Sequence, residues 1–73
     1  MNPLKQARLA VRPKLTHRAA AKALGISTST LYMHEAPSFD PAQLSMSDLE
    51  ARANLYGCTV NQLLGREPIA LAV

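Results

Sequence analysis

The chain has 73 residues, 48% of them hydrophobic, with two Tyr, one Phe, no Trp and a formal net charge of +3. That length suits one domain with a small core of Leu, Ile, Val, Ala and Met. No segment has the unbroken apolar length of a membrane span, and the first residues lack the apolar run of a secretory leader. In chain order, Asn2 before Pro3 is a helix start, a capping side chain followed by a proline whose missing N–H is no loss at the first helical position. The first helix is predicted over residues 3–12, with Leu4, Ala7 and Val11 on its buried stripe and Lys5, Arg8 and Arg12 mostly outside it, until Pro13 ends it. Thr16 caps a second helix, over residues 16–24, rich in small residues (Ala19, Ala20, Ala21, Ala23) and closed by Leu24. Gly25 stops it in a left-handed conformation. Ile26 plugs the turn, and Ser27 or Thr28 caps a third helix over residues 28–35 that carries Leu31 and His34 inward. Pro37 closes that helix.

Residues 36–45 form the long connection, in which Asp40–Pro41 starts a single turn through Leu44 and Phe39 folds back onto the core. A capping box of Ser47 and Glu50 opens the fourth helix, which carries Leu49, Ala53 and Tyr56 and ends at Gly57. Thr59 caps a fifth helix over residues 60–64, and Gly65 and Pro68 end it. The segment 66–73 finishes wholly apolar. Ile69, Leu71 and Val73 alternate with Ala70 and Ala72, so a short C-terminal strand would set three large side chains on one face. Pairing with the same strand of a second copy would satisfy its open edge, making these three the dimerisation candidates. The tail folding back on its own fifth helix, and a dimer contact at Leu63 and Leu64, are the alternatives.

Charge is lopsided. Lys5, Arg8, Arg12, Lys14, Arg18 and Lys22 stand before residue 35 with no Asp or Glu among them, a formal +6. Glu35, Asp40, Asp48, Glu50 and Glu67 outweigh Arg52 and Arg66 in the rest, a formal −3. A basic half that coincides with two short helices around a glycine turn is the footprint of a protein that meets nucleic-acid phosphates, against the plainer reading of a solvated surface.

Residues 15–35, LTHRAAAKALGISTSTLYMHE, read as a helix-turn-helix, and the chain resembles the lambda-repressor/Cro-like family of phage and bacterial DNA-binding proteins. Ala21 stands where that family places a small residue between its two motif helices, Gly25 on its turn glycine, and Leu24, Ile26 and Leu31 on its buried apolar positions. A second block, residues 46–65 (MSDLEARANLYGCTVNQLLG), resembles the family's closing helices. Two positions depart from the pattern: His17 where glutamine is common, and His34 where the family has an aliphatic or aromatic residue. The resemblance implies an all-α, five-helix domain spanning 1–73, and a Cro-like repressor that binds a two-fold operator in double-stranded DNA as a homodimer.

With Leu31 and His34 inward, the opposite side of the third helix carries Thr28, Ser29, Tyr32 and Met33, the candidate base readers. Thr28 and Ser29 offer hydroxyls, and Tyr32 and Met33 can pack on a thymine methyl. The helix has no Arg, Lys, Gln or Asn, so specificity would lean on apolar contacts, water and DNA shape. Met33 could instead be core packing. Lys14, His17 and Arg18 are the phosphate-contact candidates, His17 by its place in the motif at a helix amino end. His34 reads as a hydrogen-bonded core or rim histidine, and the single cysteine, Cys58, as a small buried residue.

No catalytic constellation, phosphate-cradling loop or metal-ligand spacing is legible, so the expectation is a non-enzyme with no cofactor, no metal and no small-molecule substrate. A lone thiol forms no internal disulfide and fits a reducing, cytoplasmic setting. Two rivals stand beside the repressor: an antitoxin-like or other protein-interaction module, and a non-specific architectural DNA binder.

Overall fold

The structure, a computed structural model, describes residues 2–69. It is all-α there, with five helices and no strand among the described residues: α1 Pro3–Ala10, α2 His17–Leu24, α3 Thr28–His34, α4 Met46–Tyr56 and α5 Val60–Leu63. One 3-10 turn, Pro41–Gln43, interrupts the connection between α3 and α4. None of these helices is long and apolar enough to cross a membrane.

Each helix begins on a side-chain cap, because the first amides of a helix have no partner within it. Asn2 Oδ1 accepts from the Leu4 amide at 2.7 Å, and Thr16 Oγ1 accepts from Ala19 at 3.1 Å. Ser27, not Thr28, caps α3, its hydroxyl accepting from Thr30 at 3.1 Å. The 3-10 turn starts on Asp40, as its Asp-Pro pair predicts. Gly25 and Gly57 both close their helices at φ +70°, a left-handed conformation in which a Cβ is strained even where space is open, as it is at both.

Three expectations about the helices need correction. The first helix stops at Ala10 rather than at residue 12. The fourth starts on Ser45, whose hydroxyl accepts from the Asp48 amide at 3.2 Å, so the Ser47–Glu50 box does not form. Ser45, Ser47 and the helix-compatible Met46 lie so close together that either serine can open the helix, and the earlier one adds a turn's start. The capping box of the chain sits instead on α5, where Thr59 and Gln62 cap each other reciprocally. The fifth helix ends at Leu63, one residue before the expected bound, with Leu64 as its C-cap.

The core is aliphatic but for Tyr56: Leu4, Ala7, Ala20, Ala21, Leu31, Leu49, Ala53, Tyr56 and Leu63 are buried. α2 packs on α3 and α4, α1 on α4 and α5, and α4 on α5. Ala20 and Ala21 let α2 lie close against its neighbours, which larger side chains would prevent. Phe39 folds back as expected and lies tilted against the His34 ring at 4.8 Å between centroids. Asn2 also ties the start of α1 to the end of α3, its Nδ2 donating to the carbonyls of His34 and Ala36 at 2.9 Å each.

Candidate functional site

Four of the sequence candidates, Lys14, His17, Arg18 and Tyr32, meet at one place. Where the end of α1, the loop after it, the start of α2 and the middle of α3 meet, an open depression of about 460 Å³ is lined by Arg8, Leu9, Lys14, Thr16, His17, Arg18 and Tyr32. Lys14 and Arg18 are exposed there, beside the amino end of α2, where unpaired amides give a partial positive charge. Thr28 and Ser29 are exposed on the first turn of α3, and Tyr32 and Met33 are 59% and 58% exposed. Met33 is therefore surface and not core, while Leu31 and His34 face inward as the helical spacing requires. Tyr32 is the residue that joins the two groups, standing on α3 and lining the depression that also holds Lys14 and Arg18.

Beneath this face lies an ion pair that the charge pattern does not disclose. Arg8, expected outside the buried stripe, is only 3% exposed. Its Nε donates to Glu35 Oε2 at 2.8 Å, its Nη2 to Glu35 Oε1 at 3.0 Å, and its Nη1 to the Leu15 carbonyl at 3.0 Å. A two-bonded arginine–carboxylate pair has the geometry that compensates for loss of water. Glu35 is the C-cap of α3, so the pair fastens α1 to the far end of α3. Arg8 stands four residues after Leu4 and three before Val11 and so borders the predicted stripe, but no residue near it marks Glu35 as its partner.

His17 is drawn into the same group. Its Nε2 lies 3.0 Å from Glu35 Oε1 and 3.1 Å from Arg8 Nη2, and its ring stacks on Tyr32 with centroids 3.9 Å apart and planes 18° from parallel. His17 is half-buried and turned partly inward, whereas Lys14 and Arg18 stand clear.

A second buried arginine meets the residue next to Glu35 at the end of α3. Arg52, 2% exposed on α4, donates through Nη2 to His34 Nδ1 at 2.8 Å. Its Nε and Nη1, and the Tyr56 hydroxyl, find no hydrogen-bond partner among the described residues. Burial lowers the pKa of Arg52, and burial followed by the Arg52 charge lowers that of His34. Burial, then the Glu35 charge, push the Tyr56 hydroxyl up to about 12.

Of the dimerisation candidates, Ile69 is half-buried and packs against its own chain's core, beside Ala7, Ala10, Tyr56, Cys58 and Gln62. Leu71 and Val73 lie outside the described residues. Cys58 is half-buried next to the Gly57 turn, and burial pushes its thiol pKa up, the opposite of an activated thiolate. No group of three His, Cys, Asp or Glu side chains is placed to hold a metal among the described residues. No family model matches the chain, nor does any curated protein or solved structure.

Proposed function

We propose that the chain is a sequence-selective binder of double-stranded DNA that lays α3 in the major groove and rests the Lys14–Arg18 corner on the phosphate backbone. The observation that carries this reading is the shared depression: Tyr32 of α3 lines it together with Lys14 and Arg18. A surface that offers cations and a helix amino end beside exposed hydroxyl, aromatic and thioether groups suits a backbone flanked by base edges. On the Cro-like resemblance, the protein works in the cytoplasm as a homodimeric repressor on a two-fold operator. A single reading helix covers one half-site, and a second copy supplies the other.

The absence of Arg, Lys, Gln and Asn from Thr28–His34 favours a second reading, an architectural binder that grips DNA without an operator. Affinity for a mixed-sequence duplex, measured from about 50 to about 200 mM salt, tests the phosphate corner. Lys14→Ala and Arg18→Ala are each expected to weaken binding to all sequences alike and to reduce the salt slope by about one. A chain that binds no duplex, or a slope untouched by either change, overturns the proposal. Equal affinity for every sequence in competition leaves the architectural reading standing in its place.

A further inference from the structure

The geometry around His17 points to a role other than phosphate contact. His17 Nε2 lies 3.0 Å from Glu35 Oε1, to which it donates when it carries the ring proton, and 3.1 Å from Arg8 Nη2, from which it accepts when it does not. Arg8 Nη2 has two hydrogens, one of which goes to Glu35 Oε1 at 3.0 Å, so either His17 tautomer keeps Nε2 bonded within the Arg8–Glu35 pair. Nε2 is thus turned into the buried pair and away from a DNA backbone. What His17 presents outward is a ring face, and Tyr32 covers it. More than half of the Tyr32 surface is exposed. Without the stack its χ1 would sample several staggered wells, and one well would have to be selected on each binding event.

We propose that His17 is a positioning residue for Tyr32: anchored through Glu35 to Arg8, it holds the tyrosine in one rotamer and so sets the base preference of α3. This rests on the reading of α3 as the base-reading helix. Two variants separate the parts of the linkage. His17→Ala removes both the ring and the hydrogen bond, whereas His17→Phe restores a ring for Tyr32 to stack on. Glu35 keeps both of its bonds from Arg8 in either variant.

The first measurement needs no DNA. With Tyr32 and Tyr56 as its two tyrosines, the chain gives assignable aromatic proton signals, and the stacked imidazole should shift those of Tyr32 upfield. The shift is expected to vanish in His17→Ala and to return in His17→Phe. Tyr32 signals that ignore His17→Ala overturn the proposal. The second measurement selects bound sequences from a random DNA pool. The base discrimination that Tyr32→Ala abolishes should fall about tenfold in His17→Ala and be largely recovered in His17→Phe, with the salt slope of all three proteins unchanged. A uniform loss of affinity with a slope lower by about one would make His17 a phosphate ligand and overturn the proposal. If the wild-type chain enriches no sequence, it is the base-reading role of α3 that fails. If it enriches one and His17→Ala enriches the same one equally well, the positioning role fails alone.

Discussion

The two buried arginines teach by their difference. Arg8 meets a carboxylate, and each of its three guanidinium nitrogens has an acceptor within 3.0 Å. Arg52, as deeply buried, meets a neutral imidazole through one nitrogen and leaves two without a partner among the described residues. Both flank α3, but on opposite sides of the energetic balance. A buried charge in a direct ion pair holds elements together because neither partner can be lost alone, whereas one such as Arg52, which feels Asp48 and Glu35 only at longer range, is tolerated at a cost. Arg8 lines the depression proposed to meet DNA and Arg52 does not, so the directly paired arginine is the one that stands next to His17 and Tyr32.

The largest break in this comparison is Glu35→Ala. It strands the Arg8 guanidinium in the interior and should cost about 3–5 kcal/mol, most of the stability expected of a domain this small. Urea denaturation measures it. Replacing both partners with apolar residues, Arg8→Met with Glu35→Leu, should recover most of that loss, which would show that the penalty is the orphaned charge and not the missing pair.

The matching change on the other side, Arg52→Met, should stay within about 1 kcal/mol of the wild type, since it removes unpartnered donors along with one hydrogen bond. A loss as large as that of Glu35→Ala would mean the two corners are equivalent.

A pH series sharpens the contrast further. Burial and the Arg52 charge hold the pKa of His34 below its ordinary 6.5 in the folded chain. As pH falls past 6.5 the unfolded chain takes up this proton first. Stability present above that pH is therefore lost below it, until folded His34 also titrates. The urea midpoint should drop between about pH 8 and pH 5 in the wild type, and His34→Gln should flatten that part of the profile. An equal drop in His34→Gln assigns the effect to another group. The smallest expected effect is Tyr56→Phe, which deletes a buried hydroxyl that has no partner among the described residues and should be neutral or stabilising by up to about 1 kcal/mol.

The readable parts of this chain are those fixed by local chemistry. Asn-Pro, Asp-Pro, Thr16, Thr59 and the glycines at 25 and 57 mark element ends because caps and left-handed turns depend on residues within one helical turn of each other. The outward set of α3 follows from helical spacing once Leu31 is buried. The Ser45 start is hidden because two serines two residues apart satisfy the same local rule. Partners distant in sequence are not legible. Nothing near Arg8 announces Glu35, 27 positions on, and a charged residue beside an apolar stripe reads as solvated until a counter-charge arrives from another helix. For the same reason His17 reads as a surface group at a helix start and not as the neighbour of Tyr32.

Selection of bound sequences from a random DNA pool tests the proposed role of α3 most directly. The expected result is an enriched two-fold site with half-sites about one DNA turn apart. Thr28→Ala, Ser29→Ala and Tyr32→Ala should each relax the preference at a base, by about 1–3 kcal/mol for every well-formed base interaction that the change removes. A wild-type chain that enriches nothing, or three variants that enrich the wild-type site unchanged, would contradict the account.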